Sequence, residues 1–431
     1  MAVRTLLVLS KLHNLHTQSI DFTLAFPQAD VKVPIYLHTP QGIDFGDDSH
    51  KTVLMLKKNL YGLRDAGRTW WEHLSEGLIE LGFHQTQTDQ CVFIKDDVII
   101  LIYVDDCIII SKNKQSIIKT LELLRKSYTI TDEGEMEEYL GIQLERTDDT
   151  IRMSQPLLIN RIIEAIPAMK KENPVKYPAL PSVILTKDTN GEERKEHWNY
   201  RSVIGMLNFL TNSTHPELSF AVHQCARFCN DPKLVHEQAV KRIIQYLLST
   251  ARQDDPEAYA GLVFKMDRSK SIEVYVDAAF AGDWNQSWSQ EPSSVFSRTG
   301  YFITYAGCPI TWLSKLQTEI SLSSTESEYI ALSHSMRETT PMITLLQELK
   351  EILPIEDTTP KIHCTVFEDN NPCIEMVKCP KMIPRTKHIG LKYHHFRSKV
   401  KEGFVTVKYI NTENQLVDLV TKALSEAQFL K

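Results

Sequence analysis

Two aspartates lie between two strongly apolar runs in the segment VIILIYVDDCIII, which spans residues 98–110. Each run has the length and the β-branched content of a buried strand, so a reversal at Asp105-Asp106 predicts a tight hairpin. Adjacent ionised carboxylates repel each other unless a cation neutralises them, and Mg²⁺ prefers oxygen ligands. The segment therefore predicts a hairpin with a metal-binding tip. A plain turn, in which Asp is common, is the alternative interpretation.

A third acid, Asp21, belongs to another short β-rich run, residues 18–24. If this run lies beside the hairpin, Asp21, Asp105 and Asp106 converge. Three carboxylates can hold two metal ions about 3.5–4 Å apart, one activating a hydroxyl and the other stabilising a leaving oxygen. We therefore expect a two-metal site for phosphoryl transfer.

Four further acids lie at predicted strand ends or helix starts in the C-terminal region: Asp277 after IEVYV, Glu328 in SSTESEYIAL, Asp369 after HCTVF and Asp418 in NQLVDLVTK. Acids placed in this way on a β-rich core can converge on one pocket. For each acid alone, a cap or a surface position is the alternative. Glu326 competes with Glu328, which we prefer because Ala331, three residues later, permits close packing behind it.

The chain divides into three regions by pattern. Residues 1–155 alternate strands and helices, which predicts an α+β or α/β domain, and begin with an amphipathic helix. Residues 156–255 predict a proline-rich linker followed by a helical unit. Residues 256–431 return to three strands, helix, strand, helix, strand, helix. The expected elements include one strand over residues 139–146, two helices over residues 325–337 and 342–352, and helices over residues 216–230, 391–401 and 414–423.

The net charge of the chain limits where a nucleic acid could bind. The formal charge is −7, so a nucleic acid would need a local basic patch. Residues 361–408 hold ten Lys or Arg against four Asp or Glu, with four His in addition. This basic stripe predicts contact with phosphates, and a solvated helix is the alternative.

A zinc site is allowed by Cys225 and Cys229, with His223 and His236 nearby, although buried thiols are the preferred interpretation. No signal peptide or bilayer-length apolar run is found, which predicts a soluble intracellular protein with no membrane contact.

Several motifs resemble copia-type retrotransposon polyproteins. Tyr103-Val104-Asp105-Asp106 looks like the catalytic hairpin of reverse transcriptases. Residues 18–26, Ile35-Tyr36 and Pro40-Gln41-Gly42 resemble the first acidic motif of that family, and LMLKKNLYGLRDAGRTW resembles its next motif. In the C-terminal region, YVDAAFAGDW, SLSSTESEYIALS, FEDNNPCIEMV, RTKHI and NQLVDLVTKAL resemble the copia-type RNase H domain.

The resemblance implies a polymerase palm in residues 1–155, a helical thumb-like unit in 156–255 and an RNase H-like mixed-sheet domain in 256–431. Because the match begins just upstream of Asp21, the fingers strands are expected to be missing. The implied activities are RNA-directed DNA synthesis and hydrolysis of RNA in RNA–DNA hybrids. The implied partners are an RNA template, a DNA primer, the hybrid and deoxynucleoside triphosphates. The implied locations are cytoplasmic virus-like particles and the nucleus, and the oligomeric state stays open.

The resemblance also implies roles for single residues. Two Mg²⁺ ions per active site would bind the two sets of acids: Asp21, Asp105 and Asp106 in the palm, and Asp277, Glu328, Asp369 and Asp418 in the nuclease. Phe26 would exclude a ribose 2′-hydroxyl, and the backbone at Gly62 would approach the nucleotide. The expected nucleic-acid contacts are Lys387, His388, Lys392 and Arg397.

Three positions and one segment depart from the family pattern. Asp65 stands where Gln is usual, Gly67 where Pro is usual and Gly390 where Asp is expected, and residues 408–411 hold no equivalent of the RNase H His. Two alternatives therefore stay open beside the bifunctional enzyme. One is RNase H activity alone, and the other is a truncated or domesticated, non-catalytic fragment that binds nucleic acid.

Overall fold

The structure is a computed structural model of the 431-residue chain. It describes residues 1–40, 42, 53–187, 191–250, 261–284, 292–350, 352–353, 362–378 and 391–431.

A six-stranded sheet forms the N-terminal region, with strands in the order β4-β5-β6-β7-β1-β8. The elements of this region are α1 (Ala2–Leu12), β1 (His16–Phe22), α2 (Ala25–Gln28), β2 (Tyr36–His38), β3 (Val53–Met55), α3 (Ala66–Glu80), β4 (His84–Gln85), β5 (Val92–Lys95), β6 (Val98–Tyr103), β7 (Asp106–Ser111), α4 (Lys114–Ser127) and β8 (Ile130–Glu135).

The central residues of β6 and β7, 99–102 and 107–110, are all apolar and buried because both faces of the sheet are covered. Ile100 and Ile109 pack with side chains of α3 and α4 on one face. Ile99 and Ile108 belong to a second core on the other face, which also contains the leucines of α1. The expected first helix is present as α1, and it is covered on nearly all sides, since Leu6 to Ser10 are all buried.

A small antiparallel sheet of four strands and a group of helices follow. Their elements are β9 (Glu138–Tyr139), β10 (Ile142–Arg146), β11 (Thr150–Ser154), α5 (Pro156–Glu164), α6 (Tyr200–Ser213), α7 (Ser219–Ala226), α8 (Leu234–Thr250) and β12 (Leu262–Lys265). The single strand expected over residues 139–146 is instead a hairpin, because Leu140 and Gly141 both adopt positive φ and reverse the chain.

Strand β12 pairs with β11, more than a hundred residues earlier in the sequence. The predicted boundaries at residues 155 and 255 stay predictions, and this pairing joins the regions on either side of them.

A five-stranded mixed sheet forms the C-terminal region, in the order β15-β14-β13-β16-β17. Its elements are β13 (Ile272–Ala279), β14 (Arg298–Tyr305), β15 (Cys308–Leu316), α9 (Ser324–Lys350), β16 (Cys364–Glu368), α10 (Asn371–Lys378), α11 (Arg397–Lys401), β17 (Val405–Tyr409), α12 (Asp418–Thr421) and α13 (Glu426–Phe429). The first three strands are antiparallel, and β16 and β17 run parallel to β13. The predicted fold class, mixed α and β with a mixed C-terminal sheet, is confirmed.

Several predicted helices have different bounds. One continuous helix, α9, replaces the two expected helices and passes through Pro341, because buried residues such as Met336 and Met342 keep packing on both sides of the proline. The helix expected over residues 216–230 begins with a 3-10 turn and ends at Ala226. The last two expected helices shorten to α11 and α12, each preceded by a separate 3-10 turn.

Candidate active sites

The hairpin predicted from the sequence is formed by β6 and β7, and it brings the first three acids together. Tyr103 pairs with Asp106 across the hairpin, so the two-residue turn is Val104-Asp105. Strand β1 lies on the other side of β7, with Asp21 directly opposite Asp106. Directly opposed residues of neighbouring strands share a face of the sheet. We call Asp21, Asp105 and Asp106 the hairpin site.

The turn at the tip of the hairpin is held from two sides. Val104 has a φ of 60°, a left-handed conformation that is unusual for a β-branched residue. The buried Trp70 indole Nε1 of α3 donates a hydrogen bond of 2.7 Å to the Val104 carbonyl. The Phe22 amide donates at 2.9 Å to the carbonyl of Asp105. These two bonds fix the Asp105 backbone relative to Asp21 in β1.

Negative charge accumulates at the hairpin site. Burial, followed by the charges of Asp105 and Glu133, raises the pKa of Asp21. Burial, followed by Asp105, Glu133 and Asp21, raises the pKa of Asp106. Glu133, which the sequence analysis missed, accepts a 2.8 Å hydrogen bond from the Ser19 hydroxyl. The site therefore favours a bound cation, which would relieve the repulsion.

The predicted nucleotide-contacting residues lie beside this site. Phe26 is half-buried on the short helix α2, not in a strand, and its ring centroid is 4.6 Å from that of Tyr61. Gly62 has a φ of 93° with open space around it, so the turn needs glycine for its conformation. Tyr61 was missed from the sequence. Burial, followed by the charges of Asp105 and Asp21, raises its phenol pKa, which places the ring close to the acids.

The C-terminal site contains the closest group of carboxylates. Asp277 lies in β13, Glu328 in the first turns of α9 and Asp369 directly after β16, and ligand atoms of all three lie within 4.8 Å of one another. No other group of three or more His, Cys, Asp or Glu meets this distance among the residues that the structure describes. Glu326 is used elsewhere, since its Oε2 accepts a 2.7 Å hydrogen bond from the Leu322 amide.

The surroundings of this trio disfavour ionisation of its carboxyl groups while no metal is bound. Burial, with the charges of Glu368, Asp277 and Asp369, raises the pKa of Glu328 to about 11. Burial also raises the pKa of Asp277, against the opposing effects of Thr421 and Lys422. The Oε2 atom of Glu328 is buried without a hydrogen-bond partner. Three clustered hard oxygen donors, one of them unsatisfied, fit a divalent cation such as Mg²⁺.

The fourth predicted acid, Asp418, lies outside this close group. It begins α12, and its Oδ1 is 2.7 Å from Nζ of Lys422. Thr421 of the same helix donates a 2.6 Å hydrogen bond from Oγ1 to Asp277 Oδ2. We use the name C-terminal site for Asp277, Glu328, Asp369 and Asp418 together.

A glycine makes the docking of α12 possible. Gly300 pairs with Asp277 in the sheet, and a Cβ there would overlap the methyl group of Thr421 and lie 3.0 Å from Cγ2 of Val420. Gly300, Thr421 and Lys422 were all missed from the sequence. A glycine inside a strand pattern was the available signal for close approach.

The predicted nucleic-acid contacts are described only in part. Lys387 and His388 lie outside the described residues. Lys392 lies in the 3-10 turn Leu391–His394. The Arg397 guanidinium donates to the Met376 carbonyl, so part of its hydrogen-bonding capacity is used within the protein. The roles assigned to these four residues and to the seven acids stay predictions.

The alternative zinc site is not assembled among the described residues. His236 Nδ1 accepts a 2.9 Å hydrogen bond from the Lys233 amide, and His223 Nδ1 lies 2.8 Å from the Arg298 guanidinium. The Nδ1 atoms of His236 and His223 therefore already have contacts within the protein. Cys225 is a buried free thiol, as the preferred interpretation expected, whereas Cys229 is only half-buried and lies after the end of α7.

Comparison with known families and proteins agrees with these motifs. Residues 1–181 match the family model described as reverse transcriptase (RNA-dependent DNA polymerase). These residues are similar to the reverse transcriptase family, and the match covers less than half of the chain. The predicted resemblance to copia-type retrotransposon polyproteins is confirmed by relatives that extend beyond this reverse transcriptase region.

Two plant relatives match nearly the whole chain. The retrovirus-related Pol polyprotein from transposon TNT 1-94 of Nicotiana tabacum is 31% identical over 440 residues, covering 99% of this chain and 31% of the relative. The corresponding polyprotein from transposon RE1 of Arabidopsis thaliana is 31% identical over 416 residues, covering 96% and 27%. The chain therefore spans about a third or less of the length of these relatives.

Two solved structures are similar at low sequence identity. A foamy viral protease-reverse transcriptase in complex with double-stranded DNA has a TM-score of 0.46 and 14% identity, covering 92% of this chain and 57% of that one. An RNase H domain from Mycobacterium tuberculosis, fused to maltose-binding protein, has a TM-score of 0.24 and 9% identity, covering 35% of this chain and 90% of that one.

In the described part of the chain, none of the helices has the length and apolar character needed to cross a bilayer.

Proposed function

We propose that the chain combines two activities of a copia-type retrotransposon polyprotein. The hairpin site would add deoxynucleotides to a primer on an RNA template, and the C-terminal site would hydrolyse the RNA strand of an RNA–DNA hybrid. The observation that carries the proposal is the assembly of two separate carboxylate groups from segments far apart in the sequence. The match of residues 1–181 to the reverse transcriptase model and the similarity to Pol polyproteins support the first of these activities.

At the hairpin site, Asp21 and Asp106 hold neighbouring positions and Asp105 lies in the turn between β6 and β7. These acids would hold two Mg²⁺ ions, which supply the charge that activates a primer 3′-hydroxyl and stabilises the leaving pyrophosphate. Phe26, supported by the Tyr61 ring, would lie against the sugar of the incoming deoxynucleoside triphosphate and exclude a 2′-hydroxyl. Trp70 would keep the turn in place through its bond to Val104.

At the C-terminal site, the trio of Asp277, Glu328 and Asp369 would hold a divalent ion, and Asp418 would complete a second position. The ions would supply charge that activates water against an RNA phosphodiester. Thr421 orients Asp277 through its short hydrogen bond. The basic stripe, with Lys387, His388, Lys392 and Arg397, would bind the phosphates of the hybrid, whose shape and 2′-hydroxyls are the recognised features.

A second candidate is RNase H activity alone. One observation favours it: the C-terminal trio has ligand atoms within 4.8 Å, whereas the hairpin acids do not form such a group in the described structure. A non-catalytic fragment that binds nucleic acid is the third outcome that the experiment below can return.

Two single substitutions separate these functions. The full chain would be assayed with Mg²⁺ on a labelled RNA–DNA hybrid and, separately, on a primed RNA template. Asp277→Asn should abolish hybrid cleavage and leave primer extension unchanged, and Asp105→Asn should do the reverse, because each removes a charged metal ligand from one site only. Asp148→Asn, at an exposed turn, is the matched control and should change neither activity.

The outcomes are distinct for each function. Cleavage that survives Asp277→Asn would reject the C-terminal site as the nuclease. Extension that survives Asp105→Asn would reject the hairpin site as the polymerase. A parent chain without either activity would leave the non-catalytic fragment as the remaining interpretation.

A further inference from the structure

A cavity of about 170 Å³ lies between the helical group and the C-terminal sheet. Its wall combines segments that are far apart in the sequence, including Val183 before α6, Gln224 of α7, Arg298 at the start of β14 and Lys422 directly after α12. One water molecule takes up about 30 Å³ of liquid, so the cavity has room for a small polyatomic ion. None of the described acids of the hairpin site or the C-terminal site lines it.

Arg298 brings an unused hydrogen-bond donor to this cavity. The residue is only 2% exposed. Its Nη1 lies 2.8 Å from His223 Nδ1 and 3.2 Å from the Ser314 hydroxyl oxygen. Its Nη2 is buried and makes no hydrogen bond, since the nearest carboxylate oxygen, Oδ2 of Asp283, is 3.8 Å away. Because a buried donor without an acceptor is unfavourable, this nitrogen calls for an acceptor that the described residues do not supply.

The charges around Arg298 do not balance. Asp283 is shared, because its Oδ2 also accepts a 2.6 Å hydrogen bond from Arg227, while its Oδ1 accepts one from Gln224. Burial, followed by the charges of Arg298 and Arg227, lowers the pKa of His223 to about 3, so this imidazole is neutral. Two guanidinium groups and one carboxylate leave a net charge of +1 among these buried groups. A bound anion would neutralise it.

We propose that this cavity is an oxyanion site, which binds one phosphate group through the Arg298 guanidinium. A guanidinium offers planar N–H donors that match phosphate oxygens, and a singly charged phosphate balances the charge of the cluster. Phosphate fits better than a carboxylate because it has oxygens left for Lys422, which lines another part of the wall. The site goes beyond the proposed function, since it requires neither metal binding nor cleavage.

Calorimetric titration of the full chain with inorganic phosphate tests this site. Mg²⁺ would be removed with EDTA, so that phosphate does not bind through a metal. The basic stripe of residues 361–408 also offers cations, so the result is the difference between the parent and each variant. Arg298→Met should weaken the tightest phosphate binding by about tenfold or more, because it removes a charge-assisted hydrogen bond from a buried position.

A second variant and a matched control make the result specific. Val183→Trp fills the cavity but leaves the guanidinium in place, and it should cause a similar loss of affinity. Arg146→Met, in β10, removes another arginine whose Nη2 is buried without a hydrogen-bond partner, and it should leave phosphate affinity unchanged. Circular dichroism identifies the folded variants. Parent-like phosphate affinity in folded Arg298→Met or in folded Val183→Trp would overturn the inference, and so would a parent chain that binds no phosphate.

Two sources of the phosphate group are separated by a parallel titration with an RNA–DNA hybrid in EDTA. If the group is a phosphodiester of a bound strand, Arg298→Met should weaken hybrid binding by about tenfold or more, whereas Arg146→Met should not. If the group is free phosphate, Arg298→Met should lose phosphate binding and keep the hybrid affinity of the parent. Both results support the oxyanion site. Because cleavage is not measured, a failure of the proposed nuclease function would not change either result.

Discussion

Single buried carboxylates determine how this protein should respond to pH. Glu328 and Asp277 are placed by separate elements in a pocket where burial raises the pKa of both, and Lys422 offsets this rise only in part at Asp277. Their ionised forms are therefore unfavourable until a metal binds. The cost of assembling these acids without a metal should be visible in the stability of the folded chain.

The metal-free chain should lose stability as the pH rises. Burial beside Glu368 raises the pKa of Glu328 to about 11, whereas in an unfolded chain a Glu titrates near about 4.3. The folded state holds a proton that the unfolded state releases between these values. The associated stability is therefore fully present below the lower pKa and is lost as the pH rises toward the higher one.

Thermal unfolding in EDTA measures this effect. We expect the midpoint temperature of unfolding of the parent to decrease as the pH is raised from about 6 to about 9. The midpoint temperature of Glu328→Gln should decrease less, because Gln carries no titrating proton. Added Mg²⁺ should reduce the difference by stabilising the ionised carboxylates. Identical pH slopes for parent and variant would contradict the assignment of this effect to Glu328.

At the scale of single elements, α3 shows how a helix supports the hairpin site. Trp70 and Tyr128 form an aromatic cluster with Phe22 of β1, with edge-on ring contacts of 5.3–6.1 Å. Gly77 of α3 lies under the Tyr128 hydroxyl. The cluster connects the helix to the strand that carries Asp21, so packing of α3 and geometry of the site are linked.

Two glycines of α3 should respond in opposite ways to alanine. At Gly77 a Cβ would overlap the hydroxyl of the buried Tyr128, so Gly77→Ala should destabilise by about 1–3 kcal/mol through overpacking. At Gly67 the nearest atom is Phe26 Cζ at 3.9 Å. There Ala should be neutral or stabilising by up to about 1 kcal/mol through helix propensity. Urea denaturation compares the two variants, and equal effects would show that Tyr128 does not confine Gly77.

Local patterns predicted the elements better than the contacts between them. The Asp105-Asp106 hairpin follows from apolar periodicity, whereas the mixed C-terminal sheet was implied by the resemblance to RNase H. The preference for Glu328 over Glu326 agrees with the observed trio. The turn at Leu140 was missed because leucine rarely adopts positive φ. The ion pair between Asp418 and Lys422 was missed because helix spacing alone does not show which i,i+4 pair faces a pocket.

At the scale of the whole molecule, one apolar core extends from the six-stranded sheet to the five-stranded sheet. Helix α1 lies within it, and Arg4 of this helix connects the regions. Its Nε donates at 2.6 Å to the Ile310 carbonyl, and its Nη1 donates at 2.9 Å to the carbonyls of Asn212 and Ser213. The guanidinium also stacks 4.3 Å above the Trp312 ring. The N-terminal and C-terminal sheets therefore pack on one shared core, to which Arg4 adds hydrogen bonds.

Removing the Arg4 guanidinium should weaken the whole molecule. Arg4→Met keeps an apolar stem but leaves three carbonyls without this donor, and we expect a loss of about 2–4 kcal/mol. Arg161→Met, at an exposed position of α5, is the control and should be nearly neutral. Chemical denaturation followed by circular dichroism and tryptophan fluorescence gives both the size of the loss and the coincidence of the transitions. Equal stabilities of the two variants would show that Arg4 does not join the regions.

The pairing of β11 with β12 also has a consequence for synthesis on the ribosome. The strand Thr150–Ser154 emerges roughly a hundred residues before its partner Leu262–Lys265. At a translation rate of about 5–20 residues per second, the edge of β11 that pairs with β12 stays unpaired for about 5–20 seconds. During this interval a nascent chain presents unpaired amides and carbonyls to neighbouring polysomes, where strand exchange between copies competes with correct folding. Slower translation would lengthen this period of exposure.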